Sequence, residues 1–265
     1  MAEPSNKTER QDGNQNPRSW IDLPEDVTAS ILLRLGTIEI LVTALNVCTT
    51  WRRICKESRM WHTIDICDVS VYGKLPSRYP MDRMCRKAID LTCGNLVNIS
   101  VHNFGSDDLL KYITDRYSAP KLPQLEYLEL SQGNYIFDNP PFNHIRHAYL
   151  EVIGRCCPRL KSLKLKEYNT DWFFDGWDGD ALAIAETMHG LHHLHLLGDK
   201  ITSKGLRAIL DGCPLLVSLD LRHCWHIDLD PEREELQRCI DQIENLRLPH
   251  DSTHDYERLA AQKRN

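Results

Sequence analysis

Apolar residues in the N-terminal quarter of the chain follow helical spacing. Val27, Ile31 and Leu35 recur every four residues, which places them on one face of a helix. Leu23-Pro24 precedes them, and proline is favoured in the first turn of a helix. The pattern predicts a short amphipathic helix that begins at this dipeptide.

A second helical pattern follows a break at Gly36, and we expect this helix to end near Glu57. Its apolar positions keep a spacing of three or four residues or a multiple of it: Leu41, Leu45, Cys48, Cys55. Four more apolar residues fall off both stripes: Leu32, Leu33, Val47, Trp51. They either pack against the rest of the chain or form an exposed docking patch, and periodicity leaves both interpretations open.

The same segment resembles a known motif. LPEDVTASILLRL, then VCTTWRRI, then a terminal tryptophan are similar to the F-box, which binds the Skp-type adaptor of cullin–RING ubiquitin ligases. The resemblance implies that these residues contact the adaptor: Leu23, Pro24, Ile31, Leu32, Leu35, Val47, Cys48, Trp51, Trp61. Gly36 and Thr49 depart from the family pattern, where proline and a basic residue are common. Neither is an apolar contact position, so weaker or unchanged adaptor affinity is expected.

The second half of the chain repeats a Leu-x-x-Leu-x-Leu pattern. Copies begin at Leu125, Leu160, Leu191 and Leu216, and a looser copy begins at Leu96. Helical patterns between and after the copies cover 107–117, 147–156, 180–188 and 203–213, and a fifth follows Asp230-Pro231 and ends near residue 243. Each unit therefore combines one strand and one helix, and stacked neighbours bury the leucines that a single unit cannot.

This pattern resembles the leucine-rich repeats of plant F-box proteins of the Skp-interacting type, most clearly in DALAIAETM and GLRAILDGCPLLVSLDLRHC. The predicted fold class is α/β: an N-terminal F-box helical hairpin followed by a short curved leucine-rich-repeat solenoid of about five to six strand–helix units. The expected organisation is a disordered tail at 1–19, the F-box at 20–66, a linker at 67–81, repeats at 82–248 and a loosely attached C-terminal tail at 249–265.

A target protein could bind the concave face. Alternation along the strands predicts that these residues face outwards there: Asn98, Ser100, His102, Tyr127, Glu129, Ser131, Ser162, Lys164, Lys166, His193, His195, Leu197, Ser218, Asp220, Arg222. A solvated face that only keeps the arc soluble is the alternative. The loop at 168–180 adds the aromatics Trp172, Phe174 and Trp177, which either contact a target or fill a gap between units.

Composition and motifs exclude several classes. A net charge of −6 disfavours a nucleic-acid surface, and no apolar run is long enough to span a membrane. Ten cysteines without a C-x-x-C pair or a signal peptide indicate reduced thiols in the cytosol or nucleus. His189, His192, His193 and His195 are interpreted as exposed side chains rather than zinc ligands. No catalytic, cofactor-binding or metal-binding residue is assigned.

The resemblance implies a non-catalytic substrate-recognition subunit of an SCF-type ubiquitin ligase, in the nucleus or cytoplasm. Its partners would be the Skp-type adaptor, a cullin through that adaptor, and an unknown target protein. Three alternatives stay open: a leucine-rich-repeat binding module whose F-box-like hairpin only caps the solenoid, a small-molecule-gated receptor with a pocket at the 168–180 loop, and a zinc-dependent or hydrolytic enzyme.

Overall fold

A computed structural model describes residues 23–67, 80–102, 107–114, 122–131, 146–166, 177–228 and 234–255. The helices in these ranges are α1 Glu25–Leu32, α2 Thr37–Val42, α3 Thr49–Ile54, α4 Met81–Leu91, α5 Asp107–Thr114, α6 Arg146–Cys156, α7 Gly179–Thr187, α8 Ser203–Gly212 and α9 Glu234–Gln242. The strands are β1 Thr63–Cys67, β2 Asn98–His102, β3 Tyr127–Ser131, β4 Ser162–Lys166, β5 His193–Leu197, β6 Ser218–Asp220 and β7 Asn245–Arg247. None of the described helices has the length and apolar character needed to cross a membrane.

The strands form one parallel sheet in sequential order, β1 to β7. Their register aligns one apolar residue from every strand in a single row: Ile64, Ile99, Leu128, Leu163, Leu194, Leu219, Leu246. All of these except the last are almost completely buried. Because each strand adds only one or two such side chains, the core exists only when units stack. The α/β fold and its strand–helix repeats are therefore confirmed.

The solenoid helices follow the predicted positions. Helices α6, α7 and α8 pack side by side along the stack, and α8 contacts α9. The sheet contains two strands that the repeat pattern did not reveal, β1 and β7. Strand β1 carries isoleucine where the template has leucine, and the copy at β7 has Ile243 before Leu246 and Leu248, so the strict Leu-x-x-Leu-x-Leu template misses both.

Helices α7 and α8 approach closely because α8 ends in glycine. A Cβ atom on Gly212 would lie 2.7 Å from the Cα atom of Ala185 on α7. The obstacle is backbone, which cannot move aside as a flexible side chain could. Spacing between these two helices is therefore set by the absence of a side chain at this position.

Replacing Gly212 with Ala is expected to lower the free energy of unfolding by about 1–3 kcal/mol, the usual range for overpacking a tight contact. Urea denaturation monitored by circular dichroism measures the change. Gly190→Ala is the matched control, since a Cβ atom there would meet nothing within 4 Å. Equal stability of the two variants would show that α7 and α8 tolerate a larger separation.

The prediction that the second F-box helix is one continuous element is wrong. The chain forms α2, a 3-10 helix at Ala44–Asn46, and then α3. Cys48 separates the last two because it is extended, with φ −154° and ψ 172°, and its Sγ atom accepts a hydrogen bond from the Trp51 amide at 3.5 Å. A residue in the extended N-cap conformation cannot lie inside a continuous helix. The helix is therefore interrupted at Cys48, although the apolar spacing of the sequence continues across it.

The F-box helices are joined to the start of the sheet. Helix α2 packs on β1 and α4, and the Asp65 amide of β1 donates a hydrogen bond to Thr37 Oγ1 of α2 at 3.1 Å. An edge strand needs such partners, since its outer backbone groups have no neighbouring strand. Strand β1 begins within the segment 20–66 that the sequence assigned to the F-box, and the helical cap and the sheet share one core.

The C-terminal segment is more firmly attached than predicted. Within 249–255, the Pro249 carbonyl accepts a hydrogen bond from the His223 amide at 3.0 Å. The His250 ring lies 5.0 Å from the Trp225 ring. Loose attachment is therefore wrong for these seven residues, which cover the end of the stack; residues 256–265 of the predicted tail lie outside the described ranges.

Candidate protein-binding surfaces

The F-box helices carry exposed apolar side chains. Val27, Leu33 and Val47 keep 40%, 54% and 53% of their surface exposed. The predicted adaptor contacts that are exposed or partly exposed are Leu23, Pro24, Ile31, Leu35, Val47, Cys48 and Trp51. Large apolar groups left in solvent on short helices are typical of a protein-binding surface. The adaptor-binding role of these residues stays a prediction.

Two predicted adaptor contacts, Leu32 and Trp61, lie inside the core instead. Leu32 is fully buried and Trp61 is 1% exposed. The Trp61 indole N–H donates a hydrogen bond to the Cys55 carbonyl at 2.8 Å. These residues support the F-box surface from beneath, because a side chain enclosed by its own fold has no area left for a partner. Resemblance to the motif does not distinguish a residue that contacts the adaptor from one that packs inside the core, since both roles require a large apolar side chain.

Val27 was missed as a candidate contact, and Leu33 was left open between internal packing and an exposed docking patch. Val27 belongs to the apolar stripe of α1, yet it is 40% exposed, so the rest of the chain does not cover the whole stripe. Leu33 lies off the stripe, as the buried Leu32 does, so periodicity left its exposure open. Its side chain lines a small cleft of about 200 Å³ with Ile40, Arg59 and Met60. The cleft reaches the start of β1 at Thr63, and its lining mixes apolar and polar side chains.

Polar contacts hold the F-box helices together. Glu25 at the start of α1 pairs with Arg53 of α3. The Arg52 Nε atom donates a hydrogen bond to the Leu45 carbonyl at 2.8 Å. The first contact joins α1 to α3 across 28 residues, and the second joins α3 to the 3-10 helix seven residues earlier, so both help to orient short helices that would be marginal alone.

The concave face is built by the strand register. One row crosses the sheet in the order Asp65, Ser100, Glu129, Lys164, His195, Asp220, Arg247. A second row contains Tyr127, Ser162, His193 and Ser218. Strand alternation therefore places the predicted residues on one face, while their contact with a target stays a prediction.

The first strands of this face are acidic. The His102 ring lies between two carboxylates, with Nε2 3.6 Å from Asp65 Oδ1 and Nδ1 3.8 Å from Glu129 Oε1. The Tyr127 hydroxyl donates a hydrogen bond to Glu129. Burial, and then this hydrogen bond, raise the pKa of Tyr127 well above its ordinary value. Tyr127 therefore stays protonated and orients the Glu129 carboxylate.

The middle strands of the face are basic. The Lys164 Nζ atom lies 5.4 Å from the centre of the Tyr127 ring, within the range of a cation–π contact. Lys166 follows on the same side of β4, and burial lowers its pKa. On the next strand, the His195 Nδ1 atom lies 3.4 Å from Asp220 Oδ2. Charge is thus distributed unevenly along the arc.

The last predicted contacts, Asp220 and Arg222, are sequestered. Both residues are 2% exposed. Arg222 donates to Asp220 Oδ2 at 2.7 Å, to the Ser252 carbonyl at 2.6 Å and to Asp255 Oδ1 at 2.5 Å. The sequence analysis predicted that these two side chains contact a target, and their burial shows that this prediction is wrong. Alternation gave their face correctly, but it could not reveal that residues thirty positions later fold back and cover them.

The aromatic loop is only partly described. Trp172 and Phe174 lie outside the described residues. Trp177 is 42% exposed, its amide donates to the Lys200 carbonyl at 2.8 Å, and its ring centre lies 6.0 Å from that of His147. Its role as a target contact stays a prediction.

The cysteines and histidines show no metal-site geometry in the parts of the chain that the structure covers, where no group of three potential ligands converges. All ten cysteines are free thiols. Burial raises the pKa of Cys85 and Cys157 to about 12 each. Thiols with such values stay protonated at neutral pH, so they act as small apolar core residues.

The sequence is similar to known F-box and F-box/LRR proteins. An F-box-like family model matches residues 20–67. F-box/LRR-repeat protein 23 of Arabidopsis thaliana is 41% identical over 89% of this chain and 54% of its own length. F-box/LRR-repeat protein 21 of Arabidopsis thaliana is 40% identical over 90% of this chain and 84% of its own length. F-box protein SKIP19 of Arabidopsis thaliana is 38% identical over 89% of this chain and 79% of its own length. The chain thus spans about half of the first relative and most of the other two.

The fold and its two surfaces define a protein in which an F-box-like helical cap is fused to a leucine-rich-repeat stack. The chain belongs to the plant F-box/LRR-repeat family.

Proposed function

We propose that this protein is a substrate-recognition subunit of an SCF-type ubiquitin ligase. Its F-box surface would bind a Skp-type adaptor and, through it, a cullin. Its leucine-rich repeats would bind a target protein. The observation that carries the proposal is the set of exposed apolar side chains on an F-box that is otherwise firmly packed against the solenoid. The F-box and F-box/LRR relatives support a substrate-receptor role in general.

The mechanism would be one of proximity. The shared core between α2 and β1 makes the F-box and the arc one body at their junction, so a target on the arc would be held at a defined place relative to the adaptor. Such tethering raises the effective concentration of target lysines near a ubiquitin-loaded enzyme. The chain itself would contribute binding and position, and the bond-forming chemistry would belong to other subunits. Free thiols, six of them buried, favour the nucleus or the cytoplasm as its location.

One alternative has specific support. The hydrogen bond from Asp65 to Thr37 and the burial of Trp61 give the F-box helices a capping role at the first edge of the sheet. Repeat stacks need such caps. A protein that used the helices only in this way would bind a target without joining a ligase, and adaptor binding separates the two functions.

Adaptor binding should depend on Val47. Calorimetry with a purified Skp-type adaptor is expected to show binding by the intact chain and at least about tenfold weaker binding by Val47→Asp, because a buried charge would disrupt an apolar contact. Leu215→Asp is the matched control: Leu215 is also 53% exposed but lies on the solenoid. Circular dichroism checks that both variants fold. Absence of binding by the folded wild-type chain would favour the capping function.

A further inference from the structure

The concave face reverses its charge between the third and fourth strands. Asp65 and Glu129 surround His102 at the first strands. Three basic residues then follow on β4 and β5: Lys164, Lys166 and His193. We call these three residues the basic patch.

Sheet geometry brings the basic patch together. Lys164 and Lys166 are two positions apart on β4, which separates them by about 7 Å on one face. His193 on β5 is aligned with Ser162 of β4, one strand spacing of about 5 Å away. Lys164 is therefore the diagonal neighbour of His193, and a single extended peptide could contact both.

The patch lacks compensating negative charge at two of its members. Lys164 lies over the Tyr127 ring, and no carboxylate in the described ranges forms an ion pair with its ammonium group. His193 contacts the His192 ring and likewise has no described carboxylate partner. Other cations differ: Arg159 and Lys161 pair with Glu126, and His195 lies beside Asp220.

Electrostatics at His193 agree with this geometry. Burial is the main cause that lowers its pKa, and the positive charges of His192, His195 and Lys164 lower it further. All the charge effects on this ring thus have the same sign. The lowered pKa keeps the His193 ring neutral at neutral pH, so Lys164 supplies the charge for an anion and His193 supplies an N–H donor beside it.

We propose that the basic patch binds an acidic segment of the target protein, with its carboxylates placed between Lys164 and His193. This inference rests on the proposed function, in which the arc holds a target. Complementary charge at the patch specifies a carboxylate-rich segment, whereas a basic segment would be repelled. The acidic residues Asp65 of β1 and Glu129 of β3 also limit where the bound segment can lie on the face. Glu129 on β3 is aligned with Lys164, one strand spacing of about 5 Å away, and Asp65 on β1 is three spacings or about 14 Å away. An acidic run that extended towards β1 would meet these like charges, so the bound segment should extend from the patch towards β5.

Fluorescence anisotropy tests this proposal with the full chain and a labelled peptide that contains four consecutive glutamates. A peptide with glutamines in their place is the control probe. The glutamate peptide should bind more tightly than the glutamine peptide at low ionic strength, and added salt should weaken it. Lys164→Glu should weaken binding at least about tenfold, and the neutral Lys164→Gln should weaken it less.

Lys204→Glu is the matched variant, because it makes the same charge change on an exposed residue of α8. It should change the affinity less than about twofold, since only a long-range charge effect remains. Equal binding of the two peptides, or equal losses in Lys164→Glu and Lys204→Glu, would overturn the proposal. Binding of a phosphoserine peptide without binding of the glutamate peptide would also overturn it.

Adaptor calorimetry on the same samples separates the two proposals. Lys164→Glu should leave adaptor affinity unchanged, because its side chain lies on β4 and not on the F-box. Glutamate-peptide binding without adaptor binding would refute the ligase function and keep the acidic-segment site. Adaptor binding without any Lys164-dependent peptide binding would refute the site alone.

Discussion

Replacing Trp61 with Ala is expected to lower the free energy of unfolding by about 3–5 kcal/mol, the range seen when a buried tryptophan or phenylalanine is truncated. Trp61 is 1% exposed and lies between the F-box helices and β1. Its loss would leave a cavity where the two parts of the chain share a core, and it would also leave the Cys55 carbonyl without the indole donor. Urea denaturation provides the measurement.

Two further variants show what kind of role Trp61 has. Trp225→Ala removes a tryptophan that is 38% exposed and contacts His223 and His250, so about 1 kcal/mol is expected. Trp61→Phe keeps most of the volume and loses the hydrogen bond, for about 1 kcal/mol. If Trp61→Phe kept its stability but lost adaptor binding, the residue would be a partner contact and its burial in the core would not describe the bound protein.

Trp61 was predicted to contact the adaptor but lies in the core, which illustrates what sequence patterns can predict about the F-box surface. Leucine spacing revealed the repeats because each unit must bury the same positions against the next, so architecture is written in local periodicity. The F-box motif likewise identified its segment. Neither pattern states which apolar residue faces inward. Leu32 and Leu33 are adjacent and equally apolar, yet the first is fully buried and the second is 54% exposed.

The concave face shows the same limit for charged residues. Alternation placed Lys164 and Asp220 on one face, and the strand register agrees. Their surroundings differ, however, because the segment ending at Asp255 folds back over Arg222. Contacts between residues thirty or more positions apart leave no periodic trace. Residue types therefore predicted the face but not the part of it that stays open.

Arg222→Ala is expected to lower the free energy of unfolding by about 3–5 kcal/mol, because it leaves the buried Asp220 carboxylate without its partner. The guanidinium also joins β6 to the C-terminal segment through Ser252 and Asp255. Arg247→Ala is the matched control. Arg247 is aligned with Asp220 on the next strand but is exposed, so a change within about 0.5 kcal/mol is expected. Comparable losses in the two variants, measured by urea denaturation, would contradict the central role of Arg222.

The Asp220–Arg222 pair also predicts how stability depends on pH. Burial acts to raise the pKa of Asp220, but hydrogen bonds from His195 and Arg222 outweigh it and hold the pKa well below its ordinary value. A depressed pKa in the folded state gives stability that is fully present above the unfolded value of about 3.9 and is lost as pH falls below it. Asp220→Asn should therefore flatten the acid limb of the stability curve. An unchanged limb would mean that other carboxylates cause the acid loss. Because Arg222 fastens the C-terminal segment to the carboxylate that this titration neutralises, acid should loosen that segment as it destabilises the end of the stack.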